Sequence, residues 1–416
     1  MRDRAAELAA AAGITIEHIA NSHIRKEDVV AEVLAARGDH PGLVHVISAM
    51  EACPTYKPWH SKQTHRTFLR PATGKCLHYY FYFIDAELGL IYVRVPTWCP
   101  FRLQFYCNGH SWLARQLTAA GIGFKLADNA FLRIDDWQRA QTLADHLSPA
   151  TLHEVLDRYA KQCCPVFDVF ARSYHWSVMQ VEYATDLVFR SQAVLKPLYE
   201  QLSRQAILTV KAEHVATFLG HKKHRFGKSS IKIYDKFGLV LRIETTTNDV
   251  SAFKHYRKVE HQQGPAGYAA PVKKSIYSLT DLHHILLGCN RRYLQYFSSL
   301  DDFSAGIRAL DRLTQPRTVK GRIVKGLNFF SRADQTLLAA LHRPSFNISG
   351  LRRADLLPLV VQCSPPTLTR HLARLRQLGV IKRVTGTYRY YLTRTGRAAI
   401  SAARRLTEHT IIPALA

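Results

Sequence analysis

The chain has 416 residues, 47% of them hydrophobic, and a formal net charge of +25. That length and apolar content support two or three domains with real cores, and the charge selects a polyanion, nucleic acid first, as the partner. Low complexity is excluded, and no apolar run reaches a membrane span, since Arg94 breaks the strongest one, Leu90 to Val95. The Ala-rich start carries acidic residues and lacks the apolar core of a signal peptide, so a cytoplasmic protein without a membrane partner is expected. Eight cysteines form no C-x-x-C pair, which predicts reduced thiols.

Residues 1 to about 50 alternate helical patterns with breaks at Gly13, Gly38 and Gly42. From Cys76 to Phe105 the texture turns to aromatic and β-branched strands, with a turn at Glu87 to Gly89. Helices at Ser111 to Ala120 and Asp135 to His146 flank a strand-like Gly-Ile-Gly-Phe-Lys-Leu. The stripe Tyr79 to Phe83 reads as core rather than as a base-stacking platform. Cys76, His78, Cys107 and His110 are the donors a zinc site would use, but on aromatic-rich segments they read as core residues.

A second sheet begins near Tyr174. Met179, Val181, Tyr183 and Leu187 point one way, and Gln180, Glu182, Ala184 and Asp186 the other. A helix follows at Gln192 to Gln205. Two strands then meet at a turn, Asp235 to Gly238, with Ile231, Ile233, Leu241 and Ile243 on the inner face. Lys232, Tyr234, Arg242 and Glu244 share the polar face with Glu182 and Asp186. Carboxylates hold hard cations, and a tyrosine beside such a metal can attack a phosphodiester while Lys232 and Arg242 hold the phosphate. The competing reading is an amphipathic sheet whose tyrosine and carboxylates are ordinary hydrogen-bonded residues. Helices around Leu279 to Leu300 close this module, and the basic stretch Gln315 to Lys325 reads as a linker.

From Ser331 onward there are fourteen Lys or Arg against three acidic residues, Asp334, Asp355 and Glu408. Ser364 and Pro365 suit the start of a helix, and Leu368, Leu372, Leu375 and Leu378 recur at helical spacing before Gly379. Thr367, Thr369, Arg370, His371, Arg374 and Gln377 fall on its other faces. Strands at Ile381 to Val384 and Tyr388 to Leu392, joined by Thr385-Gly386-Thr387, make a hairpin carrying Lys382, Arg383 and Arg389.

This C-terminal order resembles the winged helix-turn-helix domains of MarR-like bacterial regulators, including a closing Y-x-L-T-x-x-G run at Tyr390 to Gly396. The resemblance implies duplex DNA binding, with Thr367, Thr369, Arg370, His371 and Arg374 toward bases and Lys382, Arg383 and Arg389 toward phosphates. In the middle, V-E-Y-A-T-D at Val181 to Asp186, T-F-L-G at Thr217 to Gly220, I-K-I-Y-D-K and L-R-I-E are similar, in order, to motifs of Rep-trans-type rolling-circle replication initiators. That likeness implies Tyr234 as nicking nucleophile, Glu182, Asp186 and Glu244 as ligands of Mg²⁺ or Mn²⁺, and single-stranded DNA as substrate. The chain as a whole resembles a bacterial family without an assigned activity.

The expected fold is α+β: antiparallel sheets with flanking helices in two modules, residues 1–150 and 151–314, a basic linker at 315–330, and a winged helix at 331–416. The expected function is DNA binding in a mobile-element or plasmid-like system, as a metal-dependent nickase or, alternatively, as a non-catalytic regulator or accessory factor. RNA is a weaker ligand candidate, and a homodimer is compatible with either reading.

Overall fold

The computed structural model describes residues 1–21, 23–98, 101–170, 174–209, 216–218, 221–261, 264–301, 303–329, 331–361 and 363–407. They form two compact units, Met1–Trp176 and Ser177–Ala416, of α+β class. No helix among them is long and apolar enough to cross a membrane.

The first unit is built on a five-stranded sheet that runs in chain order: Glu17–His18, Gly42–Ser61, Arg66–Asp85, Gly89–Pro96 and Gln104–Tyr106. The first pair is parallel and the rest antiparallel. Alternation sends Tyr80, Tyr82 and Ile84 toward Val30 of the helix Lys26–Arg37. Phe81 and Phe83 face the other way, where Phe83 meets Tyr159 of the helix Pro149–Cys163 at 4.8 Å between ring centroids. The stripe Tyr79 to Phe83 is buried, as expected of core. The unit ends at Trp176, beyond the boundary expected at 150. The reason is the helix Pro149–Cys163: Arg158 and Tyr159 donate to the buried Asp85 at 2.6 and 2.8 Å, which ties it to this sheet.

The segment expected to alternate helices up to residue 50 holds the helices Arg2–Ala11 and Lys26–Arg37, but from Gly42 it is already strand. The two long strands, Gly42–Ser61 and Arg66–Asp85, pair through to Ser61 and Arg66, far past the edge of the sheet.

The second unit carries another five-stranded antiparallel sheet, in spatial order Val181–Val188, Val240–Thr247, Ser229–Lys236, His221–Phe226 and Ala216–Phe218. The hairpin turn falls at Phe237 to Leu239, slightly beyond the expected Asp235 to Gly238, because Asp235 and Lys236 still pair within the strand. Lys236 pairs with Val240 across a three-residue connection in which Phe237 and Gly238 both take positive φ, 57° and 70°, and Leu239 N–H donates to the Lys236 carbonyl at 3.2 Å. Ile231, Ile233, Leu241 and Ile243 are buried, because a slip of one residue would turn all four outward. Leu219 and Gly220 of the T-F-L-G run lie outside the described residues.

The helix Leu279–Asp301 covers this apolar face. Its Asn290, completely buried, donates to the carbonyls of Tyr183 and Ile243 and to Thr185 Oγ1, and accepts from Thr245 Oγ1. One amide thus stitches the helix to two strands in a dry interior, where each lost partner costs its full desolvation. Asn290→Ala is expected to destabilise the second unit by about 2–3 kcal/mol, read as a shift of its urea-unfolding midpoint with the first unit unchanged.

The C-terminal segment forms the expected winged helix. Helices Arg332–Leu341 and Arg353–Leu356 precede the recognition helix Pro365–Gln377, and strands Ile381–Arg383 and Tyr390–Leu392 make the wing. Leu351 bridges to Tyr390 as a short third strand. Leu368, Leu372, Leu375 and Leu378 are buried. Gly379 at φ 79° closes the helix: its N–H donates to Arg376 and that of Val380 to Leu375, both carbonyls otherwise orphaned at a helix end.

The stretch expected as a linker is structured. Arg317–Val319 and Arg322–Val324 form a hairpin, and Val324, Leu327 and Phe329 are buried in the same core as the recognition helix.

Candidate functional site

The polar face of the second sheet collects the expected residues by strand register. Tyr234 lies opposite Arg242, and Arg242 opposite Asp186, in one cross-strand row. The next row holds Lys232 opposite Glu244. Glu182 sits opposite Thr246, one step further along the same face. Lys223, on the next strand, pairs with Lys232.

Within this face the charges are consumed locally. Arg242, 1% exposed, donates from Nε and Nη2 to the two carboxylate oxygens of Asp186 at 2.7 and 2.6 Å. Glu244, also buried, accepts from Lys232 Nζ at 2.7 Å and from the Tyr234 hydroxyl at 2.8 Å. Lys232 Nζ also lies 3.7 Å from Glu182. Burial and the neighbouring Glu244 carboxylate push Glu182 up to about 7, so near neutrality it holds a proton for Glu244. Burial alone would raise Glu244 as well, but hydrogen bonds from Glu182, Lys232 and Tyr234 outweigh it and hold that carboxylate at about 2. Tyr234 is pushed above the ordinary phenol range, first by burial and then by the Glu244 charge.

This arrangement gives each expected metal ligand a side-chain partner. Asp186 belongs to Arg242, and Glu244 to Lys232 and Tyr234, so the positive charge a divalent cation would bring is already supplied by two side chains. Among the described residues, no group of three His, Cys, Asp or Glu gathers closely enough to hold a metal. Arg242, expected as a phosphate contact, is buried against Asp186. Lys232 is committed to the two glutamates. Tyr234 does meet a carboxylate, but as a neutral hydrogen-bond donor.

In the winged helix the expected residues divide. Arg370, Lys382, Arg383 and Thr369 are exposed. Arg370 Nη2 donates to Thr367 Oγ1 at 3.1 Å, which also accepts from Ser364 Oγ. Thr369 accepts from Arg353 at 2.9 Å, bringing that cation to the start of the recognition helix. Arg383 leans over the exposed Tyr388 ring at 5.2 Å, at the wing tip. His371 is half-buried.

Arg374 and Arg389, expected toward DNA, are half-buried and hydrogen-bonded within the unit. Arg374 donates to both oxygens of Asp334 at 3.2 Å, to the carbonyl of Lys325 and to that of Gly326. Arg389 donates to Ser349 and to the carbonyl of Ala252, fastening the base of the wing.

The sequence reading missed two sources of exposed charge here. One is Arg353. The other is the hairpin once read as a linker, whose Arg317, Lys320, Arg322 and Lys325 are exposed and whose end the Arg374 tether holds against the recognition helix. The excess of basic residues in that stretch was the available signal.

The raised Glu182 has a sign that can be checked. Its contribution to stability is complete below the ordinary carboxylate value of 4.5 and is lost as pH rises through about 7. Glu182→Gln keeps a donor toward Glu244 and removes the titration. Its unfolding midpoint is therefore expected to change less between pH 5 and 8 than that of the parent chain, measured by urea denaturation; because Glu182 is partly exposed, the difference is small. No family model matches the chain, and no curated protein or solved structure matches it either.

Proposed function

We propose that the chain binds duplex DNA through its C-terminal winged helix and acts as a regulator or accessory factor rather than as a nickase. The observation that carries this reading is the set of exposed cations around the recognition helix: Arg353, Arg370, Lys382 and Arg383, with the adjoining Arg317, Lys320, Arg322 and Lys325. A recognition helix enters the major groove with its first turns, while a wing and flanking basic loops follow the phosphates. Arg370 lies on the second turn of the helix and is positioned for a base edge. Lys382 and Arg383 stand on the wing.

The test is fluorescence anisotropy of the full chain on labelled duplexes across a salt series. Arg370→Ala is expected to lower affinity for a selected site by roughly 1–3 kcal/mol if it contacts a guanine in bidentate fashion. Lys382→Ala and Arg383→Ala are expected to weaken binding to all sequences and to reduce the salt slope by about 0.9 each. A chain with no salt-dependent affinity for duplex at low salt, or with a strong preference for RNA, would sink the reading.

The nicking alternative rests on the 2.8 Å contact between Tyr234 and Glu244. Against it stand the raised phenol and the ammonium and guanidinium groups that fill the place of a cation. Incubation of the full chain with single-stranded DNA and Mn²⁺ is therefore expected to give no covalent adduct. An adduct that disappears in Tyr234→Phe would reinstate the nickase.

A further inference from the structure

In the first unit the two long strands leave the sheet together. From Ala52 opposite Lys75 to Ser61 opposite Arg66 they pair over ten residue pairs, and among the described residues neither has another strand beside it. At about 3.3 Å per residue this ribbon projects roughly 30 Å. An isolated two-stranded ribbon is marginal in water and has no core of its own, so it needs a reason outside the fold.

Its composition supplies one. Residues 52–84 contain no Asp or Glu, while the ribbon carries Lys57, Lys62, Arg66, Arg70 and Lys75, with His60 and His65. Register places Lys57 opposite Arg70, Trp59 opposite Phe68 and Ser61 opposite Arg66, so one face is cationic and aromatic. Trp59 and Phe68 are 50% and 48% exposed, and Arg70 stacks on Trp59 at 4.5 Å. The other face carries Tyr56, His60 and Leu69 among three prolines, Pro54, Pro58 and Pro71. Proline has no N–H to donate, so these residues disfavour adding a further strand to either edge. The ribbon is built to be read by its side chains, not by its backbone, which argues against a second copy pairing along it.

We infer that this ribbon is a second DNA contact, entering the major groove of a duplex with its cationic, aromatic face. A two-stranded ribbon fits that groove, about 12 Å wide, and the length available spans close to one helical turn of DNA. Lys57, Arg66 and Arg70 are the phosphate contacts, and the Trp59–Arg70 stack holds one guanidinium extended toward the DNA. The inference stands independently of the winged helix.

The test compares three forms of the full chain on a random-sequence 40-base-pair duplex, by anisotropy across a salt series. The triple variant K57A/R66A/R70A is expected to bind at least 10-fold more weakly at about 0.1 M salt, and to lose between two and three units of salt slope, at about 0.9 per phosphate contact. The charge-retaining set K57R/R66K/R70K is expected to keep the slope, which a merely structural role for these exposed residues would not predict. A winged-helix variant, R370A/K382A/R383A, is read in parallel. If that variant loses affinity and the ribbon variant does not, the inference fails while the winged-helix reading stands. A loss confined to single-stranded oligonucleotide, or to vesicles containing phosphatidylserine, also overturns it.

Discussion

Arg242 sets the terms for the second unit. Its guanidinium lies at the centre of the sheet with 1% of its surface exposed, and a charge in that position is tolerable only with a partner of good geometry. Asp186 provides it, across one strand, with two short hydrogen bonds. Everything else on that face follows the same demand. Lys232 and Tyr234 converge on Glu244 from the neighbouring strand, and burial and that carboxylate raise the adjacent Glu182. Opposite charges across adjacent strands compensate one another, so the face satisfies itself before any ligand arrives.

The first unit resolves its own charges in the same way at the root of the ribbon. Glu51 accepts from Lys26, Tyr80 and Arg94 at 2.7–2.9 Å. Burial works against that carboxylate, yet these donors hold it at about 2. Glu51 is also the last acid before Asp85. Where the strands lie within the sheet, Lys26 and Arg94 pair with Glu51; where the ribbon leaves it, Lys57, Lys62, Arg66 and Arg70 are exposed. The net charge of +25 is therefore not spread evenly in effect. Cations such as Lys26, Arg94, Lys232 and Arg242 are bound to carboxylates, and those of the ribbon, the wing and the adjoining hairpin are available to a polyanion.

How much of this could be read from the chain depended on whether one face of an element is buried. The hairpin around Gly238 and the recognition helix were legible because Ile231, Ile233, Leu241 and Ile243 repeat every second residue, and Leu368, Leu372 and Leu375 at helical spacing. The ribbon was not legible. Both of its faces meet solvent, so apolar and charged residues follow no period of two, and its prolines read as breaks. Residues Gly42 to Ser61 accordingly did not read as strand. Side-chain partners were harder still. Glu182 and Asp186 share a face, but a four-residue step separates them by about 13 Å along a strand, and only the register with Val240–Thr247 gives Asp186 to Arg242. Arg374 and Arg389 look like surface cations on a helical wheel or a wing, and fold back because Asp334, Gly326 and Ser349 wait for them from segments remote in sequence.

The same compensation bears on chemistry. A tyrosine attacks phosphorus as its phenolate, or with a base to take its proton as it attacks. Glu244 is the nearest acceptor to Tyr234, but a carboxylate held at about 2 by Lys232, Glu182 and the phenol itself is a weak base. Its negative charge also disfavours a phenolate alongside, and burial adds to that cost. Arg242 favours the phenolate through its charge and a hydrogen bond, but burial and the Glu244 charge outweigh it. The balance of burial and neighbouring charge thus favours the neutral phenol. For this face to become reactive, Lys232 would have to leave Glu244 and Asp186 release Arg242 together, at the cost of two partly buried ion pairs. The cations on the wing and along the ribbon, by contrast, lie exposed rather than in buried carboxylate pairs.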